Sequence, residues 1–327
     1  MLPDDTRTLN DLADRLLPLV RQVMSITDVT LGDQKQPFAV RFRGRLISDS
    51  QLAFEKLDPA FKKAGTTLLF REENDGHEIL GMPGVIQPQD SNSLVNVILF
   101  LLTLASMLMA GAMYGMEVSA DASALVILQA ILQSLPNGIT FAVSLLGILT
   151  AHEFGHYFAA RFHKTAVSLP YFLPFPLSLF GTLGAFIRLK EPPKNRRVLL
   201  DIGLSGPIAG LIVAIPVLLI GLYLSDIGHL PLNALAAQGT VLEGNSLLYL
   251  AMKFFVTGEF LPKPLHYAGL SPFIYWVRYF FVGLPMPFGG TDVLLHPLAW
   301  AGWAGLLVTM LNLIPAGQLD GGHAIYV

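Results

Sequence analysis

The sequence predicts an α-helical membrane protein that crosses the bilayer several times and carries a small α/β domain at its N-terminus. Hydrophobic residues make up 53% of its 327 residues and charged residues only 14%, and the mean hydropathy is +0.55. Soluble domains contain about 25% charged residues. The charges are concentrated early in the chain, because more than half of the 21 Lys and Arg and of the 24 Asp and Glu precede residue 94.

Residues 1–90 are predicted to form the soluble α/β domain. Val40 and Phe42 alternate with Arg41 and Arg43, which is typical of a half-buried strand, here over 38–47. Apolar spacing predicts the other elements: helices over 8–24 and 51–64, and strands over 66–70 and 79–82 on either side of an Asn74-Asp75-Gly76 turn. The order is βαββ-like, and a mostly polar linker over 83–93 follows it.

The rest of the chain contains four apolar runs near the roughly 20 residues that a membrane span requires. They cover residues 94–114, 139–162, 198–224 and 297–314. A shorter run over 273–284 is interrupted by Arg278 and predicts a re-entrant or interfacial segment. Whether residues 225–296 cross the membrane is left open.

Loop charges predict the orientation of the spans. Residues 161–197 contain seven Lys and Arg and a single acid, Glu191, whereas residues 115–137 contain no basic residue. The excess of basic residues places the first of these loops and the N-terminal domain in the cytoplasm. The second and fourth spans then run in the same direction, unless an odd number of crossings lies between them.

The composition also restricts the chemistry. Without cysteine, any metal site must use His, Asp or Glu. The net charge of -3 gives no reason to expect a nucleic-acid partner.

His152-Glu153-Phe154-Gly155-His156 matches the H-E-x-x-H pattern of zinc sites. Residues four apart lie on one face of a helix, so the two imidazoles can bind one zinc ion, with Glu153 beside it as a base. The pattern also occurs by chance in soluble helices. Here its ionisable groups lie within a span, where each charge costs roughly 2.5–3.5 kcal/mol, and this favours a metal site.

A catalytic zinc site needs a third protein ligand, and Asp320 is the best candidate. It follows the fourth span, where Pro315 and several glycines predict an unwound backbone. Capping of a helix end is the alternative role for Asp320, and His323 is a weaker candidate ligand. His163 lies about 16 Å along the helix from His152 and is expected to mark the end of the span.

Two segments of this chain together resemble the site-2 protease family of intramembrane zinc metalloproteases. The first is the H-E-F-G-H segment at His152, and the second is Asn312-Leu-Ile-Pro-Ala-Gly-Gln-Leu-Asp-Gly-Gly, an N-x-x-P-x-x-x-x-D-G-like sequence. Segments at 181–186 and 201–207 are also similar to family segments. The resemblance covers residues 139–327, and it is closer to bacterial and plastid-type members than to those with PDZ or CBS domains.

The resemblance implies a three-span metalloprotease core, one Zn²⁺ ion, and cleavage of peptide bonds in or near the transmembrane segments of membrane-protein substrates. It implies that His152, His156 and Asp320 are the metal ligands, Glu153 the catalytic base, and Asn312 a substrate-binding residue. The expected location is a bacterial cytoplasmic membrane. The sequence ends at Val327, earlier than in most family members, so we expect a truncated chain whose activity is left open.

Two other functions remain as alternatives. Intramembrane His, Asp and Glu also occur in metal or proton transporters, although these residues then line a route, often in repeated halves. A catalytically inactive scaffold is the second alternative, and the presence of Glu153 argues against it. If the chain is a protease, the segment over 181–189 is predicted to be a short strand that pairs with extended substrate, with an ordinary cytoplasmic loop as the alternative.

Overall fold

The computed structural model describes residues 6–33, 36–73, 76–85, 91–114, 122–193, 195–233, 242–316 and 319–325. The predicted turn residues Asn74 and Asp75, residues 86–90 of the predicted linker and Val327 lie outside them. The chain divides into two compact units. Unit 1 is Met1–Asp90, Lys164–Ala166 and Leu189–Leu199, and unit 2 is Ser91–His163, Val167–Arg188 and Leu200–Val327.

Unit 1 is an α/β structure with a four-stranded antiparallel sheet in the order β1-β2-β4-β3. Apolar side chains from two helices and one sheet face form its core, including Leu16, Phe42, Leu57 and Phe61. The elements in chain order are α1 (Thr6–Val20), β1 (Met24–Leu31), β2 (Val40–Leu46), α2 (Ser50–Lys63), β3 (Thr66–Glu73) and β4 (Gly76–Pro83).

The structure contains a strand that the sequence analysis did not predict. The predicted first helix was extended to Met24, but α1 ends at Val20 and β1 begins at Met24. Strand β1 is an edge strand, its pairing shifts between Ile26 and Asp28, and Met24 is its one buried residue. An edge strand with little burial has no regular apolar alternation, so periodicity does not reveal it.

Among the described residues, three helical segments are long and apolar enough to cross a membrane. They are Ser93–Met113 (α3), residues Gly138–Phe162 of the longer helix α4 (Ala124–Phe162), and Arg196–Tyr223 (α5), whose first turn belongs to unit 1. The helix α8 (Pro297–Asn312) has 16 residues and is shorter than the predicted fourth span. The predicted interfacial segment contains the 11-residue helix α7 (Pro272–Val282).

A small hairpin is anchored along α3. Strands β5 (Tyr171–Pro174) and β6 (Thr182–Phe186) are antiparallel. The Asn96 side chain donates to the Leu169 and Pro170 carbonyls, and the Ser106 hydroxyl donates to the Gly181 carbonyl at 2.6 Å. The prediction of a strand within 181–189 is therefore confirmed.

The segment between α5 and α8 returns the chain to the point where it left α5. Strands β7 (Asp226–His229) and β8 (Thr291–Leu294) are antiparallel, with Asp226 opposite Leu294. The helices α6 (Leu247–Thr257) and α7 between them have 11 residues each, about 16 Å, too short to cross a bilayer. The end of α5 therefore lies close in space to the start of α8.

Close backbone contacts make α5 and α8 antiparallel neighbours. Gly221 lies against the backbone of Ala299, and Gly302 lies against Leu218. A side chain at either glycine would overlap the opposite helix, so glycine permits this approach. Helices α4 and α5 are antiparallel as well, since Gly206 of α5 lies against His156 and Gly210, about one turn later, lies against His152. Helix α8 therefore runs parallel to α4, as a ligand from the end of α8 requires.

Candidate metal centre

The H-E-x-x-H residues occupy the buried part of α4. His152 and His156 are one helical turn apart, and their side chains are 3% and 6% exposed. Their Nε2 atoms lie 3.3 Å apart. The spacing of four residues thus places both imidazoles on one face, as predicted.

Asp320 reaches the same place because the backbone unwinds after α8. The helix ends at Asn312, the residues up to 316 form turns and bends, and α9 (Asp320–Ile325) begins at the aspartate. Gly321 packs against the Leu313 carbonyl, where a Cβ would overlap it. A glycine next to Asp320 therefore lets the chain fold back onto the end of α8. Unwinding of this segment is confirmed, although residues 317 and 318 lie outside the described part.

Three ligand atoms converge with the spacing of a tetrahedral metal site. Asp320 Oδ2 lies 3.2 Å from His152 Nε2 and 3.3 Å from His156 Nε2. Zinc bonds of 2.0–2.1 Å at tetrahedral angles place neighbouring ligand atoms about 3.3–3.4 Å apart. The three separations match this value, so the set fits zinc and supplies three of its four ligands.

A hydrogen bond determines which nitrogen of His156 faces this point. Its Nδ1 lies 2.6 Å from the carbonyl oxygen of Ile202 on α5. A carbonyl only accepts, so Nδ1 carries the proton and Nε2 keeps its lone pair. Ligating histidines in zinc sites are oriented in the same way.

Helix α5 also lies against both histidines through glycines. Gly206 faces the ring of His156. Gly210 faces the ring of His152, and a Cβ atom added at Gly210 would lie 3.2 Å from the His152 Nδ1. Gly155 on α4 similarly faces the backbone of Ser205. The sequence analysis noted the 201–207 segment only as a family resemblance. Its role at the site was missed, because a glycine within an apolar helix carries no local signal of what it faces.

Gly206→Ala is expected to lower zinc affinity at least about tenfold, the size of effect seen when groups that orient metal ligands are disturbed. The added methyl would overlap the His156 ring and force it to move. Zinc content of the purified protein, measured by atomic emission after dialysis against a zinc buffer, provides the test. Gly147→Ala on α4 is the control, because nothing lies within 4 Å of its built Cβ. Equal zinc retention by both variants would contradict this packing argument.

Two further residues of the predicted site lie beside the three ligand atoms. Glu153 is 3% exposed and interacts electrostatically with His156 and Asp320. The Asn312 amide nitrogen lies 3.2 Å from His152 Nε2. Asp320 is more exposed than the histidines, with 17% of its side chain accessible, so the site is more open on this side.

Of the two other histidines considered as ligands, His163 and His323, the structure describes the side chain of the first. His163 caps the end of α4 and pairs with Asp201, with 3.1 Å between Nε2 and Oδ2. It is not among the three residues that could hold a metal ion, as predicted. The side chain of His323 lies outside the described part of the chain.

Comparisons with known proteins place the chain in a family. The model of Peptidase family M50 matches residues 140–326, more than half of the chain. A probable zinc metalloprotease EGY1, chloroplastic, of Arabidopsis thaliana is 32% identical over 187 residues, which cover 57% of this chain and 29% of the relative. The Oryza sativa subsp. japonica protein of the same name is 29% identical over 199 residues, covering 61% and 29%.

A third relative, the probable zinc metalloprotease EGY2, chloroplastic, of Oryza sativa subsp. indica, is 29% identical over 195 residues, covering 60% of this chain and 30% of the relative. The chain thus spans less than a third of the length of these relatives. No solved structure matches it. The resemblance to site-2 proteases is confirmed by the family match, and this chain belongs to peptidase family M50.

Proposed function

We propose that the protein is a zinc-dependent intramembrane endopeptidase. The main support for this proposal is the convergence of His152, His156 and Asp320 at tetrahedral spacing within a mostly apolar helical unit. These three residues are the proposed zinc ligands, and Glu153 is the proposed catalytic base. Membership of peptidase family M50 supports the assignment.

Each residue has a distinct role in the proposed hydrolysis. Bound zinc would lower the pKa of a water molecule and polarise the scissile carbonyl. Glu153 would take the proton from the attacking water and return it to the leaving amine. The amide of Asn312, on the more accessible side of the cluster, would donate a hydrogen bond to the substrate carbonyl. Ile202 and Gly206 would keep the His156 ring oriented.

The proposed topology has four membrane segments. Helix α3, the Gly138–Phe162 part of α4 and helix α5 meet the length requirement. At 1.5 Å per residue, α8 covers about 24 Å of a roughly 30 Å hydrocarbon core. The irregular backbone after Asn312 would complete the crossing where protein surrounds it. The excess of basic residues over 161–197 supports a cytoplasmic location for unit 1.

The substrates would be membrane proteins that present an extended segment to the site. Strand β6 pairs with β5 on one edge and, within the described residues, with no strand on the other. Leu183 on β6 is 66% exposed. A substrate strand added at this edge would expose its peptide bonds, which a helix does not do. Transport and scaffold roles are less favoured, because the ionisable groups gather at one point and Glu153 is present.

Zinc removal tests the proposal. The protein purified in detergent is expected to contain one zinc ion per chain and to cleave a synthetic transmembrane peptide. Treatment with a chelator should abolish cleavage, and added zinc should restore it, because the proposed chemistry requires the metal. Cleavage followed by mass spectrometry provides the measurement. Full activity of the metal-free protein would overturn the proposal.

A further inference from the structure

A groove of about 680 Å³ runs along the edge strand β3 of unit 1. Six consecutive β3 residues, from Thr67 to Glu72, line it. Consecutive residues of a strand point to opposite faces, so a groove lined by all of them follows the strand's edge. At about 3.3 Å per residue, the lined part of β3 is roughly 20 Å long.

The outer edge of β3 has backbone groups available for another strand. The sheet order places β3 at the edge, with β4 as its one strand partner within the described residues. Ala39 donates to the Gly81 carbonyl at 2.8 Å, so Gly81 directs its backbone groups towards β2. Leu68 is opposite Gly81 and therefore directs its own N–H and C=O outward. Phe70 and Glu72, two and four residues further along β3, also direct their backbone N–H and C=O groups outward.

The other walls of the groove come from α2 and the segment before α5. Phe54, Asp58 and Lys62 lie on one face of α2, and Phe54 packs edge-on against Phe70 of β3. Residues 195–197 also line the groove and include Arg196 and Arg197. All of these residues belong to unit 1.

The groove is lined by four acids and by four Lys and Arg residues, and most of the acids are engaged locally. Three of its four acids are engaged locally: Asp58 pairs with Lys62, Asp49 caps α2, and Glu191 accepts from the Ala166 N–H at 2.7 Å.

Unlike these acids, the arginines of the groove are not engaged by neighbouring groups in the described part of the chain. Arg71, Arg196 and Arg197 are exposed, and none of them has an ion pair or hydrogen bond with another described residue. An incoming carboxylate would therefore meet guanidinium groups that no described residue engages, and such groups bind carboxylates in bidentate geometry.

We propose that this groove, which is lined by the β3 edge and by residues 195–197, binds an extended acidic peptide segment of a partner protein as an added strand. Backbone hydrogen bonds to Leu68, Phe70 and Glu72 would supply affinity, and the three arginines would select carboxylates. This inference is independent of the proposed proteolysis. A segment of about six residues matches the length of the groove.

The backbone part of the proposal is tested with two substitutions of Glu72. Glu72→Pro removes the outward N–H, and proline is tolerated on edge strands when its position faces solvent. Glu72→Ala removes the same carboxylate but keeps the N–H. The probe is a fluorescent hexapeptide of alternating glutamate and valine, and its binding to the full chain in detergent is measured by anisotropy.

We expect Glu72→Pro to bind the peptide at least about fivefold more weakly than Glu72→Ala, since one hydrogen bond and close approach are both lost. Thermal unfolding of both variants checks that unit 1 remains folded. Equal affinities of the two folded variants would overturn the proposal.

The charge part is tested with a matched pair of exposed strand arginines. Arg71→Gln, within the groove, is expected to weaken binding about threefold at low salt, while Arg45→Gln, in the same sheet but outside the groove, leaves it unchanged. A peptide with lysine in place of glutamate should not bind. Equal binding of the lysine peptide would overturn the proposal. Concentration-dependent self-association abolished by Glu72→Pro would also overturn it and identify a second copy as the occupant.

Discussion

Glu153→Gln is expected to lower the rate of peptide cleavage by about 10²–10⁴-fold while the protein keeps its zinc. General acid–base catalysis contributes an effect of this size. The amide has nearly the same shape as the carboxylate but cannot accept a proton from water. Glu153 is not among the three residues that could hold a metal ion, so the proposed zinc ligands remain intact. Single-turnover cleavage of a transmembrane peptide, together with zinc content, measures both consequences.

Glu259→Gln is the matched control for this substitution. Glu259 is exposed, pairs with Lys263 at 3.2 Å and lies outside the proposed site, so the same chemical change there should leave cleavage unaltered. Unchanged cleavage in Glu153→Gln would exclude Glu153 as the base and leave the zinc assignment standing. Loss of zinc in that variant would show that Glu153 acts on the metal site itself.

Asp320→Ala is expected to lower zinc affinity by at least about 100-fold and to abolish cleavage. Disturbing residues that only support a ligand already costs 10–100-fold, so removing a ligand should cost more. Two buried histidines would remain, one short of the three protein ligands of catalytic zinc sites. Competition with a fluorescent zinc chelator measures the affinity directly, without reference to activity.

Asp226→Ala provides the control, because Asp226 is an exposed carboxylate on β7 outside the metal-binding group. Retention of zinc affinity by Asp320→Ala would mean that the third ligand is another residue. Asp320→Asn adds a further comparison. It keeps the size of the side chain and loses its charge, and is expected to bind zinc with intermediate affinity.

The fold was predictable where burial is regular. The apolar runs at α3, α4 and α5 are long and almost free of charge, and the structure contains a helix at each. Prediction was less accurate where burial is irregular. Strand β1 has one buried residue among eight, and α8 ends at Asn312 because the following Pro315 segment leaves the helical conformation.

The candidate site shows the same division. The pairing of His152 with His156 requires one turn of helix, so a five-residue pattern is sufficient to predict it. Asp320 lies 168 residues beyond His152, and its place beside the histidines requires α8 to run parallel to α4. The sequence alone left that direction open. The β7–β8 pairing and the close contact of Gly221 with Ala299 determine it.

The sequence by itself therefore determined the apolar helices, the H-E-x-x-H face and the family, because these depend on spacings along a single element or on linear motifs. Only the tertiary structure decided that Asp320 completes the group, that Ile202 orients His156, and that Gly206 gives its ring room. Those relations depend on how separate helices pack, and packing is set by side chains distant in sequence. No local sequence pattern predicts these contacts between helices.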